Sequence, residues 1–177
     1  MKNQAWALLL ILALKVQIAF ATIGNFHEVN ASLFRGARPD ISEMSELQNR
    51  DVVTIINLEQ GFLGGRPGSV DDEEAWAQSH HVEFIYFPMS PIHRPTPQQV
   101  IQVLTYLQQR ADHKVFVHCL RGSDRTGIVV AAYRIWHDHW TVDQAFAEMK
   151  QYGHDELLLP GWKAVLTDVS RIISLHQ

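Results

Sequence analysis

The stretch that most constrains this chain is His118-Cys119-Leu120-Arg121-Gly122-Ser123-Asp124-Arg125-Thr126-Gly127, set between the apolar runs Val115–Val117 and Ile128–Tyr133. An apolar run, a short polar segment with a glycine, and a second apolar run predict a buried strand, a tight loop and a helix. Such a junction aims successive backbone N–H groups, and the positive end of a helix dipole, at one point in space. That point suits an oxyanion such as phosphate. What sets this loop apart is that a thiol opens it and a guanidinium closes it, with five residues between. The helix N-terminus and the arginine favour a thiolate, so Cys119 is the candidate nucleophile. Arg125 offers two coplanar donors to two phosphate oxygens, a geometry that lysine does not reproduce. The backbone of Leu120, Arg121, Gly122 and Ser123 forms the cradle between them.

Six of the ten positions, His118, Cys119, Gly122, Arg125, Thr126 and Gly127, follow the pattern HCxxGxxRTG. In this strand-to-helix setting the loop resembles that of the cysteine-dependent phosphatases, the superfamily of protein tyrosine and dual-specificity phosphatases. Over roughly residues 30–153 the chain is more loosely similar to the small bacterial dual-specificity-like enzymes and the tyrosine-phosphatase-like phytases. The resemblance implies the superfamily's fold, a cysteinyl-phosphate intermediate and no metal or organic cofactor. It also implies that Thr126 hydrogen-bonds the thiolate and that His118 orients the loop from below. Related enzymes carry an aspartic acid on the loop before the active strand, but residues 88–95 contain no carboxylate. Asp124, at a position where the myotubularin branch also has Asp, is the first candidate for general acid. His93 is the second, and an acid-free enzyme restricted to good leaving groups is a third reading.

Residues 1–21 read apart from the rest, with Lys2 at the start, an apolar run from Ala5 to Leu14, and Ala19-Phe20-Ala21 before Thr22. This predicts a secretory signal peptide, because the run is too short to span a bilayer and Lys15 interrupts it. The expectation is an exported, periplasmic or secreted protein with no stable membrane anchor after cleavage. Its catalytic domain would then comprise residues 22–177. Removing the leader leaves 13 basic against 19 acidic side chains, a formal charge of −6. That balance argues against a general nucleic-acid or anionic-membrane binder. Cys119 is the only cysteine, so no intrachain disulfide can form and the core must supply the stability.

The remaining pattern alternates strands and helices. Residues 30–39 read as a strand ended by Pro39, and Asp40-Ile41-Ser42-Glu43 as a capping box before a helix carrying Met44 and Leu47. Val52–Leu58 reads as a strand buried on both faces, Asp71–Ser79 as a short helix whose acids form a solvated face, and Val82–Phe87 as another strand. Pro88–Pro95 reads as a stiffened loop. Thr96-Pro97-Gln98-Gln99 and Thr141-Val142-Asp143-Gln144 each open a capped helix, and a last helix runs from about Gly161 to Leu175. The fold class is therefore one three-layer α/β domain with a mainly parallel sheet, the loop lying at a strand's carboxyl end. Arg134 and Lys150 are assigned to solvated helix faces. His80-His81 and His137-Asp138-His139 lack metal-ligand spacing, so no metal is expected.

The substrate reading rests on the chain's modest length, its leader and the absence of an insert that would grip phosphotyrosine. These favour a small phosphorylated metabolite, in particular an inositol polyphosphate, gathered by Arg121, Arg66, His93 and Arg94, with Arg38 or Lys163 in addition. The alternatives are a phosphoprotein substrate, and a phosphate-binding module without turnover. A monomer is expected.

Overall fold

Alternation of side chains along the strands dictates the layers. Phe34, Ile55 and Phe116 point to one face of the sheet, where they pack with Met44, Leu47 and Trp76. Leu33, Ile56, Val115 and Val117 point to the other, where the larger core lies. The chain, seen in a computed structural model, is described for residues 22–175; residues 1–21, where a leader is expected, fall outside that range.

The sheet comprises β1 (His27–Glu28), β2 (Leu33–Ala37), β3 (Thr54–Glu59), β4 (Glu83–Met89) and β5 (Val115–Cys119) in the order β1-β2-β5-β3-β4. Only the short β1 runs antiparallel; the β2–β5, β5–β3 and β3–β4 pairs are parallel. On one face lie α1 (Met44–Asn49), entered through a 3₁₀ turn at Ile41–Glu43, and α2 (Gly68–Ser79). On the other lie α3 (Pro97–Gln109), α4 (Asp124–His137), α5 (Val142–Gln151) and α6 (Trp162–Ser174). This is the expected three-layer α/β arrangement, with β5 in the middle of the sheet and completely buried. A loop leaving the central strand of such a sheet opens into the crevice where α/β proteins place ligands.

The helix caps follow the sequence. Thr96 Oγ1 accepts from the Gln99 N–H while Gln99 Oε1 accepts from the Thr96 N–H, and Thr141 and Gln144 repeat the exchange. The Asp40 N–H donates to Glu43 at 2.9 Å. Three expectations change. Strand β4 runs through Pro88 to Met89 instead of stopping before it, because β4 is an edge strand and Pro88 is solvent-exposed, where a missing N–H costs no ladder bond. Helix α2 begins at Gly68, three residues earlier than its acids suggest. Arg134 is not solvated: it pairs with Glu148 at 2.8 Å and Asp138 at 2.7 Å and lies over the Trp140 ring, bracing α4 against α5.

Candidate active site

Strand β5 carries Cys119 in register with Ala37 of β2 and leaves its side chain only 2% exposed at the carboxyl edge of the sheet. The chain then turns through Leu120–Ser123 and enters α4 at Asp124. Among the described residues, none of the N–H groups from Leu120 to Ser123 is paired with another backbone group. These donors immediately precede a fourteen-residue helix, whose N-terminal dipole favours an anion there.

The loop is held from beneath by close backbone packing. Gly122 has φ +69°, and a Cβ at that position would lie 2.5 Å from the carbonyl carbon and oxygen of Gly36 in β2. Only glycine meets both demands. On the other side, a Cβ on Gly127 would come within 2.8 Å of the Met149 side chain of α5.

Arg35 of β2 fixes the same turn from inside the protein. Its Nη2 donates to the Gly122 carbonyl at 2.7 Å and its guanidinium lies 4.4 Å over the Tyr152 ring. The side chain is 1% exposed, and its Nε and Nη1 have no hydrogen-bond partner. Burial pushes its pKa down to about 10, partly offset by the charges of Glu148, Tyr152 and Cys119. The carbonyl of Gly122 is thereby turned inward. Asn25 adds a further tie, donating from Nδ2 to the Arg121 carbonyl at 3.2 Å and to that of Tyr152 at 3.1 Å.

His118, expected to orient the loop from below, is fully buried, with Nε2 2.7 Å from Glu73 Oε1 in an ion-pair contact. Glu73 in turn accepts from Asn57 Nδ2 at 2.6 Å, and Asn57 Oδ1 accepts from the Glu59 N–H at 2.7 Å. This chain of contacts joins β5, α2 and β3. It also corrects the solvated-face assignment for one acid of α2: Glu73 is only 2% exposed, whereas Asp71 and Asp72 are exposed as expected. The sequence does carry the signal: Glu73 falls between Val70 and Ala77, both fully buried, on the helix face that packs inward. Arg35 has a comparable signature, as the one charge in the otherwise apolar strand Leu33-Phe34-Arg35-Gly36-Ala37.

Arg125 projects from the first turn of α4 and donates from Nη1 to the Met89 carbonyl at 3.3 Å, which ties it to the end of β4. The Thr126 hydroxyl is buried and has no hydrogen-bond partner, so the bond expected from it to the thiol is not made in this state.

Asp124 differs most from the sequence reading. One oxygen is 2.8 Å from His154 Nδ1, and the other accepts from Arg121 Nη2 at 2.9 Å and the Ser123 hydroxyl at 3.1 Å. Burial raises its pKa, but hydrogen bonds from His154 and Ser123 and the charges of His154 and Arg121 outweigh this and hold it below the ordinary aspartate range. Both carboxylate oxygens are thus engaged in this state. Asp124 braces the loop onto the α5–α6 connection.

Most of the cations expected to gather a polyphosphate are already committed. Arg66 pairs with Asp71 at 2.6 Å and with Glu74, and stacks over Tyr86. Arg38 contacts Glu59 at 3.2 Å and Ser69 at 2.8 Å, and Lys163 contacts Asp143 at 2.7 Å. The Arg94 guanidinium lies against Gly161. Arg94 and His93 are exposed on the β4–α3 connection, and Leu120 and Arg121 are exposed on the loop itself.

A thiol at the carboxyl end of a central parallel strand, an open N–H nest and an arginine on the following helix define a domain of the cysteine-dependent phosphatase type. The chain belongs to the tyrosine phosphatase family, whose pattern it matches across residues 21–158. The dual specificity protein phosphatase TpbA of Pseudomonas aeruginosa is 28% identical to it over 130 residues, which cover 73% of this chain and 55% of that protein. The chain thus spans about half the length of the curated relatives it matches. The crystal structure of P. aeruginosa TpbA in complex with pTyr is similar, with a TM-score of 0.71 and 25% identity, covering 86% of this chain and 89% of that one. The core catalytic domain of the PP-IP phosphatase SIW14 from S. cerevisiae shares the fold at 17% identity, with a TM-score of 0.70 over 89% of this chain and 96% of that one.

Proposed function

We propose that this protein hydrolyses phosphate monoesters through a cysteinyl-phosphate. The observation that carries this is Cys119 beneath four unpaired loop N–H groups, with Arg125 entering from the first helical turn. The Cys119 thiolate attacks phosphorus, the P–O ester bond breaks, and the departing oxygen takes a proton. Water then attacks the same phosphorus, the S–P bond breaks and the thiolate is restored. Arg125 and the N–H nest hold the equatorial oxygens in both steps, and the free Thr126 hydroxyl is available to the sulfur as it leaves. Because both Asp124 oxygens are engaged by His154, Arg121 and Ser123, the proton is assigned to His93, exposed on the connection that follows Met89.

Within this chemistry the geometry favours a substrate with a single phosphate. An inositol polyphosphate would need several uncommitted cations around the loop, whereas Arg38, Arg66, Arg121 and Lys163 are each paired with a carboxylate. The likeness to the structure in complex with pTyr also supports a singly phosphorylated group. The leader sequence supports action outside the cytoplasm. Cys119→Ser tests the mechanism: it should abolish phosphate release from an aryl phosphate while retaining vanadate or phosphate binding. A variant that keeps its rate would show that the thiol is not the nucleophile.

A further inference from the structure

Arg35 is a buried cation with no carboxylate of its own. Leu33 points to the larger core and Phe34 to the opposite face, so alternation sends Arg35 to the side on which Val115, Val117 and Cys119 lie. The β2–β5 register sets Arg35 beside Val117 and Ala37 beside Cys119. From there the side chain reaches forward to the Gly122 carbonyl, beneath the loop that Cys119 opens. That carbonyl is its hydrogen-bond partner among the described residues, and its guanidinium otherwise meets the face of the Tyr152 ring. Neither is a carboxylate. Although burial draws its pKa down to about 10, Arg35 stays charged at neutral pH.

The charges around it are committed to others. Glu148 and then Tyr152 of α5 favour the Arg35 charge most, yet Glu148 gives both oxygens to Arg134 of α4, whose own charge opposes it. Asp124 is engaged by His154, Arg121 and Ser123. His118 faces the other side of β5, against Phe116 and Glu73. His27, opposite Arg35 on β1, is held below the ordinary histidine range by burial and then by the Arg35 charge. The field of Arg35 therefore reaches its neighbours. Cys119 answers it, because the ionised thiol is among the groups that favour the protonated guanidinium.

We propose that Arg35 is the internal counter-charge of the Cys119 thiolate, a fixed cation beneath the loop that keeps the nucleophile ionised before substrate arrives. The inference rests on Cys119 as the nucleophile of the phosphatase reading and adds a second cation to it. The two arginines have separate tasks. Arg125, at the start of α4, takes the phosphate oxygens, whereas Arg35, 1% exposed, reaches no substrate and acts on the sulfur through the protein interior. A charge there acts at low dielectric, where dissolved salt screens it little.

The test reads the thiol itself. Cys119 is the only cysteine, so iodoacetamide, an uncharged reagent indifferent to the anion nest, labels a single site in the full chain. Arg35→Met and Arg35→Gln both remove the charge, while Arg35→Gln retains a donor for the Gly122 carbonyl. Each should move the curve of labelling rate against pH upward by about one unit, which slows labelling on the acid side about tenfold. Arg35→Lys, charged but without the planar fork, should keep the curve close to that of the unsubstituted protein. Circular dichroism melts check that each variant is folded, and Arg35→Gln with Arg35→Lys decides the matter if Arg35→Met is not. An unmoved curve without the charge, a shift in Arg35→Met that Arg35→Gln does not share, or an equal shift in Arg35→Lys would each overturn the proposal and leave Arg35 a support for loop shape. Aryl phosphate turnover is followed alongside. Its absence from the unsubstituted protein would overturn the phosphatase reading, with the labelling curves still deciding the counter-charge.

Discussion

Replacing Arg35 with methionine separates what this residue does for the fold from what it does for the loop. Holding the guanidinium buried lowers its pKa from the ordinary arginine value to about 10. At about 1.4 kcal/mol per unit this is a cost of about 3 kcal/mol at neutral pH. Against it stands the 2.7 Å bond to the Gly122 carbonyl, whose loss leaves a buried acceptor unpaired at about 1–3 kcal/mol. The two nearly cancel, so Arg35→Met should move Tm by no more than roughly 5 °C in a domain of this size. The loop fares differently. With nothing to hold the Gly122 carbonyl inward the nest loses its alignment, and kcat/KM on an aryl phosphate should fall on the order of 10²-fold, the effect of one misplaced oxyanion donor. Thermal melts and steady-state kinetics on the same preparation decide the matter. Unchanged kcat/KM would refute the positioning role, and a Tm drop well beyond 5 °C would show that the burial cost has been overstated. The pH dependence has a definite sign. Above pH about 10 the unfolded chain still holds the Arg35 proton that the folded one has released, so this residue's penalty shrinks as pH rises beyond that point.

Other perturbations address the remaining parts. Gly122→Ala forces a left-handed residue and a Cβ against Gly36; a loss of about 2–5 kcal/mol should appear as a Tm lower by roughly 5–15 °C, and an unchanged Tm would mean that β2 and the loop can part. Glu73→Gln keeps the shape under His118 but removes the charge, and should lower kcat more than it alters KM; a pure KM effect would place Glu73 outside the positioning chain. Asp124 has a depressed folded pKa, so its stabilisation is complete above the unfolded value of 3.8 and is lost as pH falls through the folded one; Asp124→Asn should flatten that acid limb in melts run as a function of pH. His93→Gln should slow alkyl phosphates far more than aryl phosphates with good leaving groups, and equal slowing would remove it as the proton donor.

The sequence made much of this molecule legible where local and global preferences agree. The loop, both Thr capping boxes and the strand alternation depend on neighbours in the chain, so their pattern is visible without coordinates. Glu73 and Arg35 are different, because a charge is buried only when a distant partner receives it. Glu73 meets His118 from 45 positions away, and Arg35 meets a carbonyl 87 positions away. The contact of Asp124 is hidden for the same reason: its neighbour Arg125 suggests an acid poised at the substrate, whereas its partner His154 lies 30 residues on. Candidate substrate cations on the surface could not be distinguished from paired ones, since Arg66 and Asp71 are close in sequence yet pair only once α2 has formed.

The close fit beneath the loop has a consequence for how this domain can change. Gly36 lies directly against Gly122, Met149 fills the space beside Gly127, and of the ten positions from His118 to Gly127 only Leu120 and Arg121 expose their side chains. The catalytic segment therefore has two editable letters. A descendant of this protein that acquires a new substrate must rewrite those two or alter the connections around them, and the same reactive centre passes unaltered from one specificity to the next.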